Sequence, residues 1–202
     1  MMDAKTGKIA KPESTDVPIL PFADKKAWDR WLEKNHAKAS GVWIMIGKKS
    51  SATRSVTYLE ALDVALAYGW IDSQKRGHDE TRFLQKFTPR GKRSIWSAVN
   101  RAKAVALIAS GDMKPAGLAE VERARSDGRW EAAYEPQSKA QVPPDLQVAL
   151  DTNPGASKFF ATLSSQNRYA ILFRVHTARK AETRAKRIEQ FVAMLARRET
   201  IH

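Results

Sequence analysis

Three prolines fall in the run YEPQSKAQVPP, residues 134–144, and no regular helix or central strand can cross them. A prolyl ring has no amide hydrogen to give to a helix or a sheet ladder, and it drives the preceding residue out of the α region. The chain is therefore read in two parts, with 136–144 as a Pro-rich linker. Beyond it, over 145–202, every segment carries helical spacing. Leu146 and Leu150 mark a short helix, and Asn153-Pro154 opens another that holds Phe159, Phe160 and Leu163. A third runs from about Gln166. The last carries Ile188, Phe191, Val192 and Leu195 at i, i+3, i+4 and i+7, one apolar stripe.

Ahead of the linker the periods are mixed. Residues 1–20, rich in Lys, Pro, Ser and Thr without a period, read as a flexible leader, with order beginning near Pro21. Asp24 is placed to cap a helix whose apolar positions are Ala27, Trp31 and Leu32 and which stops at Ser40-Gly41. VWIMIGKK then reads as a strand. Thr57-Tyr58-Leu59-Glu60 is a capping box, in which each end residue can satisfy the other's free backbone donor, and it starts a helix reaching about Tyr68. WIDSQKR and TRFLQKFT flank Gly77-His78-Asp79-Glu80 as a hairpin with Phe83 and Phe87 on one face. Two helices complete this part. One has Ser94 as N-cap, a stripe of Ile95, Val99, Ala102 and Ala106, and a stop at Gly111; the other starts at Pro115, turns Leu118, Val121 and Ala124 inward and closes at Gly128. The expected fold is α+β: a small N-terminal sheet of about three strands packed with helices over 21–135, followed by an all-helical C-terminal module over 145–202.

Charge points to the kind of partner. Lys and Arg number 35 against 22 Asp and Glu, a net charge of +13 and a pI near 10.1, which favours an anionic partner. No cysteine is present, which removes disulfides, thiolate metal sites and cysteine nucleophiles. No run approaches the ~18–20 consecutive apolar residues of a membrane span, and the N-terminal residues lack a signal-peptide core, so no membrane span and a cytoplasmic location are expected.

Catalytic and metal motifs are equally sparse. His36, His78, His176 and His202 share no metal-ligand spacing, and neither a metal nor a cofactor is expected. No G-x-S-x-G elbow occurs, and Gly47-Lys48-Lys49-Ser50 lacks the preceding glycine of a phosphate loop. Glu60 and Asp63 lie one helical turn apart, but Glu60 is already used by the capping box.

One cluster stands out in GWIDSQKR and PRGKRSIWS. Arg90, Lys92 and Arg93 come just before the helix assigned to Ser94, where the dipole is positive and disfavours cations. Free N–H groups beside guanidinium forks form an anion site. The candidate ligand-binding residues are Trp70, Asp72, Arg90, Arg93, Ser94 and Trp96, for an anionic small molecule or an acidic protein segment. The alternative is that Asp72 or another carboxylate neutralises the cluster internally and the tryptophans are core. A different class of reading is a nucleic-acid-binding regulator that uses Arg184, Lys186 and Arg187 of the last helix. A third is an enzyme acting on an anionic substrate with Asp72 as acid–base group.

Several long words carry a resemblance: GVWIMIGKK at 41–49, TYLEALDVALAYGWIDSQKR at 57–76, FTPRGKRSIWSAVN at 87–100, GDMKPAGLAEVERARSDGRW at 111–130 and ARKAETRAKRIEQFVAML at 178–195. In these the chain resembles the YdeI/OmpD-associated proteins, also labelled bacteriocin-protection proteins. The resemblance implies a bacterial protein with an α+β N-terminal region, similar to small domains compared with frataxin-like iron carriers, and a helical C-terminal module. It also implies a part in porin-related biology and in survival of bacteriocin or peptide stress. It brings no catalytic residue set, so the expectation is a protein that acts by binding.

Overall fold

The computed structural model describes residues 17–202; the expected leader falls largely on 1–16, outside the described residues. The described chain packs as two compact units. The first runs to Ala65 and resumes over Trp70–Pro89; the second comprises Leu66–Gly69 and Arg90–His202. The sequence reading sets its boundary at 136–144, whereas the division of packing falls at Pro89.

The first unit is a four-stranded sheet with two helices. Its elements are β1 (Ile19–Pro21), α1 (Lys25–Asn35), β2 (Val42–Gly47), α2 (Tyr58–Ala67, whose last residues count with the second unit), β3 (Trp70–Gly77) and β4 (Arg82–Pro89). The spatial order is β1-β2-β4-β3, with β1 parallel to β2 and the other pairs antiparallel. Beyond the about three strands expected, the sheet includes β1, which lies partly inside the span read as leader. Ile19 to Pro21 pair with Trp43 to Met45 at the sheet edge, the position where a strand tolerates proline.

Local signals place the helices. Asp24 Oδ1 accepts from Ala27 N at 2.8 Å, an N-cap bond. The capping box forms: Thr57 N donates to Glu60 Oε2 at 2.9 Å and Glu60 N to Thr57 Oγ1 at 3.3 Å. Those Thr57 bonds hold the Glu60 carboxyl below its ordinary pKa. α1 stops at Asn35 rather than at Ser40. Trp28 and Leu32 are its fully buried residues, and Trp28 sits between Phe22, Trp31 and Phe87 with ring centroids 5.0, 5.4 and 5.6 Å away. Its indole donates to Ala61 O of α2 at 3.0 Å, so α1 and α2 cover the same face of the sheet as Phe87.

The second unit contains α3 (Ala98–Ala109), α4 (Pro115–Ser126), α5 (Pro144–Asp151), α6 (Pro154–Thr162), α7 (Ser165–His176) and α8 (Ala181–Ala196). The last four share a core built on Leu146, Leu150, Phe160, Ile171, Val175 and Leu195. Pro144, assigned to the linker, is the first residue of α5, where its missing N–H has no helical partner to lose.

Two helices in this unit depart from expectation. α3 begins at Ala98 with Ser97 as N-cap, accepting from Asn100 N at 3.1 Å, and not at Ser94. The cause is tertiary: Tyr134 N donates to Trp96 O and Ala98 N to Tyr134 O, so this stretch is held extended as a bridge between Ser97 and Tyr134. The same tie turns the helix. Val99, Ala102 and Ala106 face solvent while Ala104 is buried, and Arg101 Nη1 bonds Trp130 O at 3.2 Å. In α4, Val121 and Ala124 are buried as expected, but Leu118 is exposed and Gly117 takes the inward position.

Candidate functional site

The six residues expected to form one site are divided by the fold. Trp70 and Asp72 belong to the first unit. Trp70 is buried, donates to His36 O at 3.2 Å and meets Trp31 edge-on, and Asp72 accepts from Tyr58 Oη at 2.9 Å. Arg90 to Trp96 belong to the second unit. There Arg90 and Trp96 are in contact, the guanidinium carbon 3.6 Å from the indole centroid, with Arg90 Nη1 bonded to Ile95 O at 3.3 Å. Arg93 is exposed. Ser94 caps no helix: its hydroxyl accepts from Gly91 N at 3.0 Å. With α3 starting later, the cations precede the helix by more than one turn, beyond the reach of its dipole.

What surrounds Arg90 comes from α4 and the turn after it. Gly69 ends α2 in a left-handed conformation, φ 72°, and its carbonyl accepts from Arg90 N at 3.0 Å. Arg123 Nη2 reaches Arg90 O at 3.4 Å and Gly91 O at 3.3 Å, and pairs with Glu120 one turn earlier on α4. Arg129 holds both Asp127 oxygens through Nε, at 2.7 and 2.8 Å, and gives Nη1 to Ser94 O at 2.7 Å. Trp130 meets Trp96 at 5.0 Å. Arg90 and Arg129 are 5% and 7% exposed, so two guanidiniums lie in the interior with a half-buried third.

Two carboxylates, Glu120 and Asp127, pair with Arg123 and Arg129. Burial pushes the Glu120 carboxyl above its ordinary pKa, further than Arg123, Arg90 and Arg129 pull it down. Burial raises the Asp127 pKa, but its bonds from Arg129 and the charges of Arg129 and Arg179 outweigh that and hold it below the ordinary value. Among the described residues, Trp96 Nε1, Arg123 Nε and Arg129 Nη2 are buried without an acceptor. Such donors are rare in folded proteins, and each costs about 1–3 kcal/mol.

Sequence reasoning missed Glu120, Arg123, Asp127 and Arg129. The one local signal was Glu120 and Arg123 at i, i+3 on a helix. No local signal joins them to Arg90, some thirty positions earlier.

The basic-helix alternative loses two of its three residues to internal bonds. Arg184 makes a two-point contact with Asp145, Nη2 to Oδ1 at 2.8 Å, and gives Nη1 to Val175 O at 2.8 Å; Arg187 donates to Arg174 O. Lys186 is exposed. The Arg184 bonds hold the Asp145 carboxyl below its ordinary 3.8. Because the folded pKa is depressed, the pair stabilises the fold fully above pH 3.8 and the contribution is lost as pH falls through the folded value. Asp145→Asn is therefore expected to lose about 0.5–1 kcal/mol at pH 7 and to flatten the acid limb of a stability-against-pH curve followed by thermal unfolding.

A cleft of about 710 Å³ runs beside α7, with Tyr134, Lys139, Tyr169, Phe173 and His176 among its walls. Two of its polar tips are engaged: Tyr169 Oη donates to Glu135 O at 3.0 Å and the His176 ring bonds Ala132 O at 3.3 Å. The guanidinium cluster, with donors still unmatched, is the stronger candidate. Among the described residues no helix is long and apolar enough to cross a membrane, and no group of three or more His, Asp or Glu could hold a metal ion.

These features define a two-unit α+β protein, a small sheet unit and a helical unit, the latter with a buried arginine cluster. The chain belongs to the family described as "Domain of unknown function (DUF8412)", whose model matches residues 20–120, half of its length. Residues 139–198 match the family described as "Bacteriocin-protection, YdeI or OmpD-Associated". The resemblance read along the whole chain is thereby narrowed: of the words that carried it, only 178–195 lies inside the YdeI/OmpD-associated match, and most of the others fall under the N-terminal family. No curated protein and no solved structure matches the chain.

Proposed function

We propose that this YdeI/OmpD-associated type protein is a binding protein that holds a small oxyanion, a phosphate, sulfate or carboxylate, at the cluster of Arg90, Arg123 and Arg129. The observation that carries the reading is the set of buried donors without acceptors, Trp96 Nε1, Arg123 Nε and Arg129 Nη2. An oxyanion offers several acceptor oxygens and a negative charge together, and planar guanidinium forks suit it. Arg123, with its side chain 35% exposed, is the member through which solvent reaches the cluster. Protection against bacteriocins, named in the family description, would then be exercised through ligand binding rather than turnover.

Thermal unfolding in phosphate, sulfate, acetate and chloride at equal ionic strength tests this. A ligand at a hundred times its Kd stabilises by about 2.7 kcal/mol. One of the oxyanions is expected to raise Tm well above chloride, Arg123→Gln to abolish the difference, and Arg93→Ala to keep it. Equal responses to all four anions, or an undiminished response in Arg123→Gln, would overturn the reading.

A further inference from the structure

The apolar period of 95–106 marks Ile95, Val99, Ala102 and Ala106 as a stripe of core character, yet the tie between Tyr134 and Trp96 turns it to solvent and leaves Ala104 as the buried residue of α3. At about 100° per residue, Ile108, Val105, Ala109, Ala102, Ala106 and Val99 follow one another around half of the helix. All six are exposed. Ile95, Val99, Val105 and Ile108 keep 40, 48, 49 and 36% of their surface, and they are four of the eight large apolar side chains exposed among the described residues.

The charges around this face have one sign. From Arg90 to Gly111 the chain holds five cations and no acid. On the helix wheel Arg101 stands beside Ile108 at one margin of the face and Lys103 beyond Val99 at the other, while Lys92 and Arg93 are exposed just ahead of Ile95. The next acid, Asp112, follows the helix and accepts from Ser110 Oγ at 2.7 Å. An apolar face edged with cations is complementary to a surface with an apolar interior and an anionic boundary.

Size selects between occupants. With 12 residues α3 is about 18 Å long, and a face about 10 Å wide offers roughly 200 Å², against the ~800 Å² a side of a stable protein interface. A second copy would also set like charges against one another, because each chain carries +13. A bilayer needs no matching shape, and long cationic side chains at the margins extend to its phosphates while the apolar face enters.

We propose that the exposed face of α3 docks on an anionic lipid surface, lying in its plane without crossing it. This docking is independent of the guanidinium cluster, so Arg123→Gln is expected to bind vesicles as wild type does. The test is co-sedimentation with vesicles of phosphatidylglycerol and phosphatidylcholine in equal parts, and of phosphatidylcholine alone, with the fold of each variant checked by circular dichroism. Wild type is expected to prefer the anionic vesicles by about tenfold or more. Val99→Gln, Val105→Gln and Ile108→Gln together leave the charge unchanged and are expected to weaken that binding by about tenfold. Lys92→Gln with Arg93→Gln is expected to weaken it by about fivefold or more, and Val148→Gln on α5 to change nothing.

Because the chain has no cysteine, Val105→Cys and Val148→Cys each accept an environment-sensitive dye at one position. The dye at 105 is expected to shift to the blue on anionic vesicles and the dye at 148 to stay unchanged. Undiminished binding by the apolar triple variant overturns the proposal, as attraction of the whole basic chain would then account for it. So does an equal loss in Val148→Gln, equal dye shifts at the two positions, or a dimer in sedimentation equilibrium that Val99→Gln dissolves, which would make a second copy the occupant.

Discussion

Trp28→Ala is expected to lower the unfolding free energy by about 3–5 kcal/mol, read as a fall in the urea midpoint followed by circular dichroism. Trp28 has no exposed surface and stacks on Trp31 with an interplanar angle of 14°, so truncation empties the space between α1 and the sheet. It also leaves Ala61 O without the indole donor it has at 3.0 Å. Trp28→Phe separates the two effects: it keeps most of the ring packing and is expected to cost only about 1–2 kcal/mol. A loss below about 1 kcal/mol for the alanine variant would mean that the first unit is not held together at this point.

Gly117→Ala should run against the helix-propensity rule. Within a helix this change ordinarily stabilises by about 0.8–1 kcal/mol. Here the added Cβ would lie 2.2 Å from Ala67 O and 2.8 Å from Ala67 C, with the Met113 sulfur at 2.5 Å. Methionine can move aside, but the carbonyl cannot, because it accepts from Lys114 N at 3.1 Å at the start of the same helix. The substitution is expected to destabilise by about 1–3 kcal/mol. Gly155→Ala in α6 is the control. Its Cβ would meet nothing closer than Asn153 Oδ1 at 3.6 Å, so it is expected to gain about 0.4–1 kcal/mol. The same sign at both positions in thermal unfolding would sink the argument.

The fold was legible in the sequence wherever structure depends on neighbours a few residues apart. The Thr57–Glu60 box, the Asp24 cap and the stripe ending at Leu195 are contacts within one or two helical turns, and each stands as read. The candidate site was legible only in part. Arg90 and Trp96 are joined, six residues apart, while Trp70 and Asp72 find their partners elsewhere in their own unit. Ser94 failed as an N-cap for a reason that no local rule contains: Tyr134, forty positions on, holds the chain extended up to Ser97.

The cations ahead of α3 divide: Arg90 is buried against Trp96 with Arg123 on its carbonyl, while Lys92 and Arg93 are exposed.

By itself the sequence determined the order and kind of most elements, several of the caps that start them, the basic balance and the absence of thiol chemistry. These follow from backbone hydrogen bonding, side-chain period and composition, which act over short separations. Only the tertiary structure decided which arginines are buried, which way α3 turns and, through one bulge in β3, that Arg76 lies on Trp43 rather than beside Asp72. Desolvation and strand register depend on groups brought together from distant positions, and a shift of one residue in register exchanges the two faces of a sheet.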